Sequence, residues 1–168
     1  MDLHMHSYHG QRLPDWPAAA VAGLAAGAIL MVLELFWAML AGGGNPWVAS
    51  HMIAAIVMGS DTLKSSGFDL TVVTVALLAH YVLGMVFGLI LATIIAPFRQ
   101  GSGLILVAVF GAVFGAVLYL LNFHAMTHFF PWFIEWRGTA TLAIHLIFGV
   151  TAALLYRKLD RHESYWPL

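Results

Sequence analysis

The sequence predicts an all-α integral membrane protein: a four-helix bundle made of two parallel helix-pair repeats, plus one short interfacial helix. Three observations carry that reading. Of the 168 residues, 61% are hydrophobic and only 9% are charged, against roughly 25% charged in an average soluble domain. A water-soluble fold could not cover itself with so few charges. Four apolar runs are long enough to cross a bilayer, and a pattern of small and polar residues recurs in the two halves of the chain.

The recurrence is specific. Gly23 and Gly27 are followed by Glu34, as Gly111 and Gly115 are followed by Asn122. Ala79-His80-Tyr81-Val82-Leu83-Gly84 is echoed by Ile144-His145-Leu146-Ile147-Phe148-Gly149, and Pro46-Trp47 by Pro131-Trp132. Each half is therefore read as a helix pair that contributes one polar residue and one histidine to a shared centre.

Composition also excludes. The chain has no cysteine, so disulfides, thiolate metal sites, iron–sulfur clusters and thiol catalysis are ruled out. Its formal net charge is −1, with no basic patch of the kind nucleic acid requires. The first apolar run is too long for a cleaved signal peptide, contains Glu34 and lacks a small-x-small cleavage pattern.

Taken in order, residues 1–16 read as a polar cytoplasmic tail, with weak metal binding by His4, His6 and His9 as the alternative. Residues 17–158 form the membrane domain, repeat one covering 17–97 and repeat two 103–158. Asp15 and Pro17 mark a helix start, a capping acid followed by an early proline. Pro17 to Leu40 is the first span; at 1.5 Å per residue it reaches about 36 Å, against about 30 Å of hydrocarbon. Glycines and Asn45-Pro46 end it. Trp47 to Met58 is too short to span and suits an interfacial or re-entrant helix. His51 within it reads as an exposed interfacial histidine, with a ligand role as the alternative. Gly59 to Asp69 is a polar loop.

Leu70 to Pro97 is the second span, carrying His80 and a Gly84/Gly88 stripe. Gly103 to Met126 is the third. Thr127 to Gly138 is an aromatic cluster of the sort found at membrane–water boundaries, with His128 at its start. Thr139 to Tyr156 is the fourth span, and residues 159–168 form a C-terminal cytoplasmic tail. Gly23, Gly27, Gly84, Gly88, Gly111, Gly115 and Gly149 are the expected helix-packing positions, because small residues let backbones approach closely in lipid. Trp47, Trp132 and Trp136 are the expected interfacial anchors.

Histidine, glutamate and asparagine inside apolar runs are costly unless partnered, which makes Glu34, His80, Asn122 and His145 the candidate central site. Counting along the helices places all four within about two turns of one level. Three readings stay open. The groups pair with one another structurally. Or they hold a ligand: a divalent transition metal on His80, His145, Glu34 and His124, or haem b with His80 and His145 as axial ligands. Or they relay protons or ions. No Ser-His-Asp set, phosphate loop or pair of catalytic carboxylates is present, so the expectation leans away from an enzyme.

Several stretches together resemble a known family: Val32-Leu33-Glu34, Pro46-Trp47, Met52-Ile53-Ala54-Ala55-Ile56-Val57-Met58-Gly59, Phe68-Asp69-Leu70, Asn122-Phe123, Phe130-Pro131-Trp132-Phe133 and His145-Leu146-Ile147-Phe148-Gly149. They are similar to small bacterial four-helix membrane proteins, some labelled sodium:proline symporter. The resemblance covers roughly residues 17–158 and implies a four-helix membrane fold, with no established activity to carry over. The expected function is that of an inner-membrane accessory protein or subunit of a larger membrane complex, whose partners are the bilayer, other subunits or further copies of itself. A small transporter or proton-conducting unit and a b-type cytochrome electron carrier are the alternatives.

Orientation follows from the cations. Arg12, Arg99, Arg157, Lys158 and Arg161 lie on one side of the expected topology, and only Lys64 and Arg137 on the other. The positive-inside rule then puts both termini in the cytoplasm. Cysteines introduced at Ser66 and Ser102 should report this against a cysteine-free background: an impermeant thiol reagent on intact cells should label Ser66→Cys and spare Ser102→Cys. The reverse labelling would invert the topology.

Overall fold

The computed structural model describes residues 13–41, 44–98 and 103–160; of the tails expected at 1–16 and 159–168, residues 1–12, with His4, His6 and His9, and 161–168 lie outside the described residues. Every regular element among those residues is helical. Four helices are long and apolar enough to cross a membrane: α1 (Trp16–Ala41), α3 (Leu70–Ile95), α4 (Leu104–Leu120, continuing through tighter and wider turns to His128) and α5 (Thr139–Leu159). The short helix α2 (Trp47–Met58) lies between the first two. The protein is thus a multi-pass membrane protein by the length and composition of its helices, with an all-α bundle fold.

Helix starts follow their side chains. The Asp15 carboxylate accepts from the Ala18 amide at 3.2 Å, capping α1. The Asp69 carboxylate accepts from the amides of Thr71 and Val72 at 2.8 and 3.1 Å, capping α3. Each satisfies amides that a helix N-terminus otherwise leaves open. Asp15 also ties the two ends of the chain together, its amide donating to the Tyr156 hydroxyl of α5 at 3.3 Å. Both ends of the membrane domain therefore lie at one end of the bundle.

α1 sits in the middle. It packs on α3 along one side and on α5 along another, while α4 packs closely on α5 and barely touches α3. Small residues on two faces of α1 permit this. Ala19, Ala22 and Ala26 are fully buried, and they join Leu91, Ile95, Val107, Phe114, Phe148 and Tyr156 in one continuous core.

The two tightest seams, α1 with α3 and α4 with α5, are glycine contacts in matching register. A Cβ on Gly88 would stand 2.5 Å from the Gly23 Cα and 2.7 Å from the Ala19 oxygen; one on Gly84 would stand 3.0 Å from the Gly23 oxygen. In the other pair, a Cβ on Gly149 would meet the Gly111 oxygen and lie 2.8 Å from the Gly115 nitrogen, and one on Gly111 would lie 2.8 Å from the Ala153 Cβ. One offset along the chain carries Gly23, Gly27 and Glu34 onto Gly111, Gly115 and Asn122. A second carries His80, Gly84 and Gly88 onto His145, Gly149 and Ala153. The echo in the sequence is therefore an echo in packing.

His51 corrects an expectation. It is buried, with 2% exposure, and its ring points Nδ1 at the Thr62 carbonyl, 2.7 Å away, and Nε2 at the Gly67 carbonyl, 2.8 Å away. Both neighbours only accept, and the ring donates to them through its N–H. His51 clasps the 59–69 loop onto α2 and is not an exposed interfacial group. Asn45 adds a second tie to the same loop, its amide donating to the Ser66 carbonyl at 2.8 Å.

The glycine geometry grades the substitutions. Gly88→Ala and Gly149→Ala push a methyl into facing backbone, which cannot swing aside as a flexible side chain would; each should cost about 1–3 kcal/mol or more. Gly27→Ala should be mild, since its Cβ would sit 3.4 Å from the Gly84 Cα, an ordinary contact. Thermal unfolding in detergent should rank Gly27→Ala well above the other two. Equal losses at all three positions would show that close approach is not what these glycines supply.

Candidate functional site

The four expected polar residues come together as two pairs, one from each helix pair. In the first, His80 of α3 reaches back to α1. Its Nε2–H donates to the Gly27 carbonyl at 3.0 Å, and its Nδ1 lies 4.0 Å from the Glu34 Oε2. The two side chains are only 11% and 12% exposed. With Nε2 donating, a neutral His80 ring turns its unprotonated Nδ1 toward the Glu34 carboxyl.

The second pair is built differently. His145 Nδ1–H donates to the Thr141 carbonyl one turn back, at 2.9 Å. That leaves Nε2 as an acceptor, with the Asn122 amide nitrogen 3.5 Å away. Phe123 and Tyr119 pack edge-on against the imidazole, with ring centroids 5.4 and 6.1 Å away. So the first half holds an acid–imidazole pair and the second an amide–imidazole pair at the equivalent place. Only the first carries a group that can take a negative charge.

Asn122 owes its direction to a wide helical turn. α4 ends at Leu120, and Leu121–Ala125 is π-helical. Such turns rotate the following side chains relative to a continuous α-helix and recur at functional sites. The carbonyls they free need donors. Arg137 supplies one directly, its Nε–H donating to the Phe123 carbonyl, and a terminal nitrogen donates at 2.9 Å to the Thr127 hydroxyl, which itself donates to the His124 carbonyl at 2.8 Å. The sequence marks Arg137 only as a cation on the sparsely charged side; its place as the brace of the site depends on the π turn, which no residue pattern announces.

Both pairs line a single cavity of about 230 Å³. Glu34, Gly27 and Leu30 contribute from α1, His80 and Gly84 from α3, Asn122 from the π turn and His145 from α5. α2 and the segment 123–136 close it at the end away from the chain termini. Trp132 joins those two covers, its indole N–H donating to the Met52 carbonyl at 3.1 Å. Of the three expected interfacial anchors, Trp132 thus spends its polar edge inside the protein and Trp136 lines the cavity. Trp47 packs edge-on against Phe68, with ring centroids 4.9 Å apart.

The expected metal set does not assemble. Among the described residues no three His, Cys, Asp or Glu side chains converge on a point that could hold an ion. His124 is exposed and packs against Tyr119. Axial haem ligation by His80 and His145 does not fit either. All four ring nitrogens face protein partners, and the cavity is smaller than the roughly 300–1,000 Å³ of pockets that take drug-sized ligands. No protein family, curated protein or solved structure matches the chain.

If Glu34 and His80 act as one proton-sharing unit, Glu34→Gln and His80→Ala should be non-additive. In a double-mutant cycle read by unfolding in detergent, the coupling should be about 0.5–3 kcal/mol. Additive losses would mean that the 4.0 Å approach carries no interaction.

Proposed function

We propose that the chain is a small, non-enzymatic inner-membrane protein of bacteria, an accessory protein or subunit of a larger membrane complex, that holds a small lipid-soluble ligand at the Glu34/His80/Asn122/His145 centre. The observation that carries this reading is the cavity at which the polar groups of both helix pairs meet. A bundle needing polar residues only to glue its helices has no reason to leave space beside them. Here two paired sets of hydrogen-bonding groups border a void that is otherwise apolar, which is the ordinary make-up of a ligand pocket.

Both termini are placed in the cytoplasm, on the bias of basic residues, so the cavity lies in the outer half of the bilayer. The resemblance to small bacterial four-helix membrane proteins implies the fold of such a protein and no activity.

One observation favours a second reading, a proton- or ion-conducting unit. Glu34 and His80 stand 4.0 Å apart at the cavity wall, and acid–imidazole pairs inside membranes serve as relays. Conduction needs a polar path onward toward the termini, and the core between the site and the Asp15–Tyr156 contact is alanine, leucine, isoleucine, valine and phenylalanine.

Protein isolated in a mild detergent and examined intact by mass spectrometry should carry a small molecule that denaturation releases. Asn122→Leu should lower its occupancy. Recovery of the wild type with no bound molecule, together with proton uptake by vesicles that Glu34→Gln abolishes, would reject the ligand reading in favour of conduction.

A further inference from the structure

Resting on the ligand reading above, we infer that the occupant is a lipid-soluble single ring with oxygens at opposite positions, a quinone or quinol, which enters from the bilayer between α3 and α4.

The shape of the polar centre argues for a two-ended head. Glu34 with His80 and Asn122 with His145 are separate stations, each supplied by its own helix pair and both bordering the same void. A fatty acid or an alcohol would engage one station and leave the other facing an alkyl chain. A ring oxygenated at both ends engages the two together. The stations also offer what such a ring needs in either state: Asn122 donates to a carbonyl with the amide hydrogen not turned to His145, and Glu34 and the Asn122 Oδ1 accept from a hydroxyl.

Size and lining agree. An apolar cavity of about 150 Å³ takes up a benzene ring; at about 230 Å³ this one has room for a ring with small substituents but not for its tail. Phe87, Phe123, Phe130, Phe133, Trp136 and Phe148 border it, a set of faces and edges suited to a flat π system.

The tail has a way out. α3 and α4 scarcely touch. Leu83 and Leu121, one from each side of that seam, line the cavity and yet are 41% and 43% exposed on the outer surface. The cavity therefore reaches the lipid-facing side of the bundle there. A hydrophobic tail left between these two leucines stays in hydrocarbon while the ring is held inside.

The test is a titration of the whole protein in nanodiscs with decylubiquinone, following tryptophan fluorescence, with lauric acid as the comparison probe. Decylubiquinone should quench saturably, because Trp136 borders the ring site. Asn122→Leu should weaken binding about tenfold, the size of one good hydrogen bond. Leu83→Trp, which narrows the seam at a position 41% exposed, should slow association without abolishing binding. Saturable binding of lauric acid with none of decylubiquinone would overturn the ring assignment and leave a ligand cavity in place. Absence of binding by both probes would overturn this inference and count against the cavity reading itself. Quenching by decylubiquinone that is linear in concentration and indifferent to Asn122→Leu is partitioning into the bilayer, and it too would overturn the inference.

Discussion

The structure depends on backbone touching backbone at two glycine seams. Between helices in lipid there is little hydrophobic drive to associate, since the tails are as apolar as leucine. Association rests on close packing and on the polar contacts that closeness permits. At Gly23/Gly88 and Gly111/Gly149 the helices approach until a single added methyl would strike main chain. The polar site is a consequence. His80 can donate to the Gly27 carbonyl, a main-chain atom of another helix, only because α1 and α3 lie this close. Where the seam brings no such carbonyl to the ring, as for His145, the imidazole turns instead to its own helix one turn back.

The two helix pairs keep one register but not one chemistry. Glu34 and Asn122 occupy equivalent positions, and so do His80 and His145, yet only the first pair sets an acid beside the ring. The connections differ as well. The first pair is joined through α2 and its clasped loop, the second through a π turn and an aromatic segment braced by Arg137. Equivalent helices carry unequal loops, and the loops make the cover of the cavity.

Much of the fold was legible in the sequence, because a bilayer leaves few options. Every backbone group must be satisfied internally, so apolar runs of this length are helices. The register was legible in Gly23, Gly27, Gly111 and Gly115 for the same reason: in lipid, small residues at that spacing have little other use. The members of the central site could be named from their cost in hydrocarbon. Their partners could not, because pairing depends on a helix rotation of a few tens of degrees. The π turn that aims Asn122 changes no residue type. His51 was misread because a histidine in a short apolar helix next to a polar loop has the same local pattern whether it faces headgroups or the loop's own carbonyls. His124, offered as a further metal ligand, lies in the same wide turn and is exposed.

The departure from symmetry locates the cavity. A two-fold relation between the helix pairs would make the seam of α1 with α5 equivalent to that of α4 with α3. The first is closed by the alanine face of α1, where Ala19, Ala22 and Ala26 leave no room. The second is nearly empty. α2 packs against α3 on that side, and Trp132 joins the aromatic segment to it through the Met52 carbonyl. Those covers hold α3 and α4 apart at the level of the histidines. The space left is bounded by polar groups that the close seams have already oriented. The same close packing that fixes the imidazoles thus closes the α1–α5 seam at the alanine face, and the cavity, lined by residues of all four long helices, opens on the side where α3 and α4 scarcely touch.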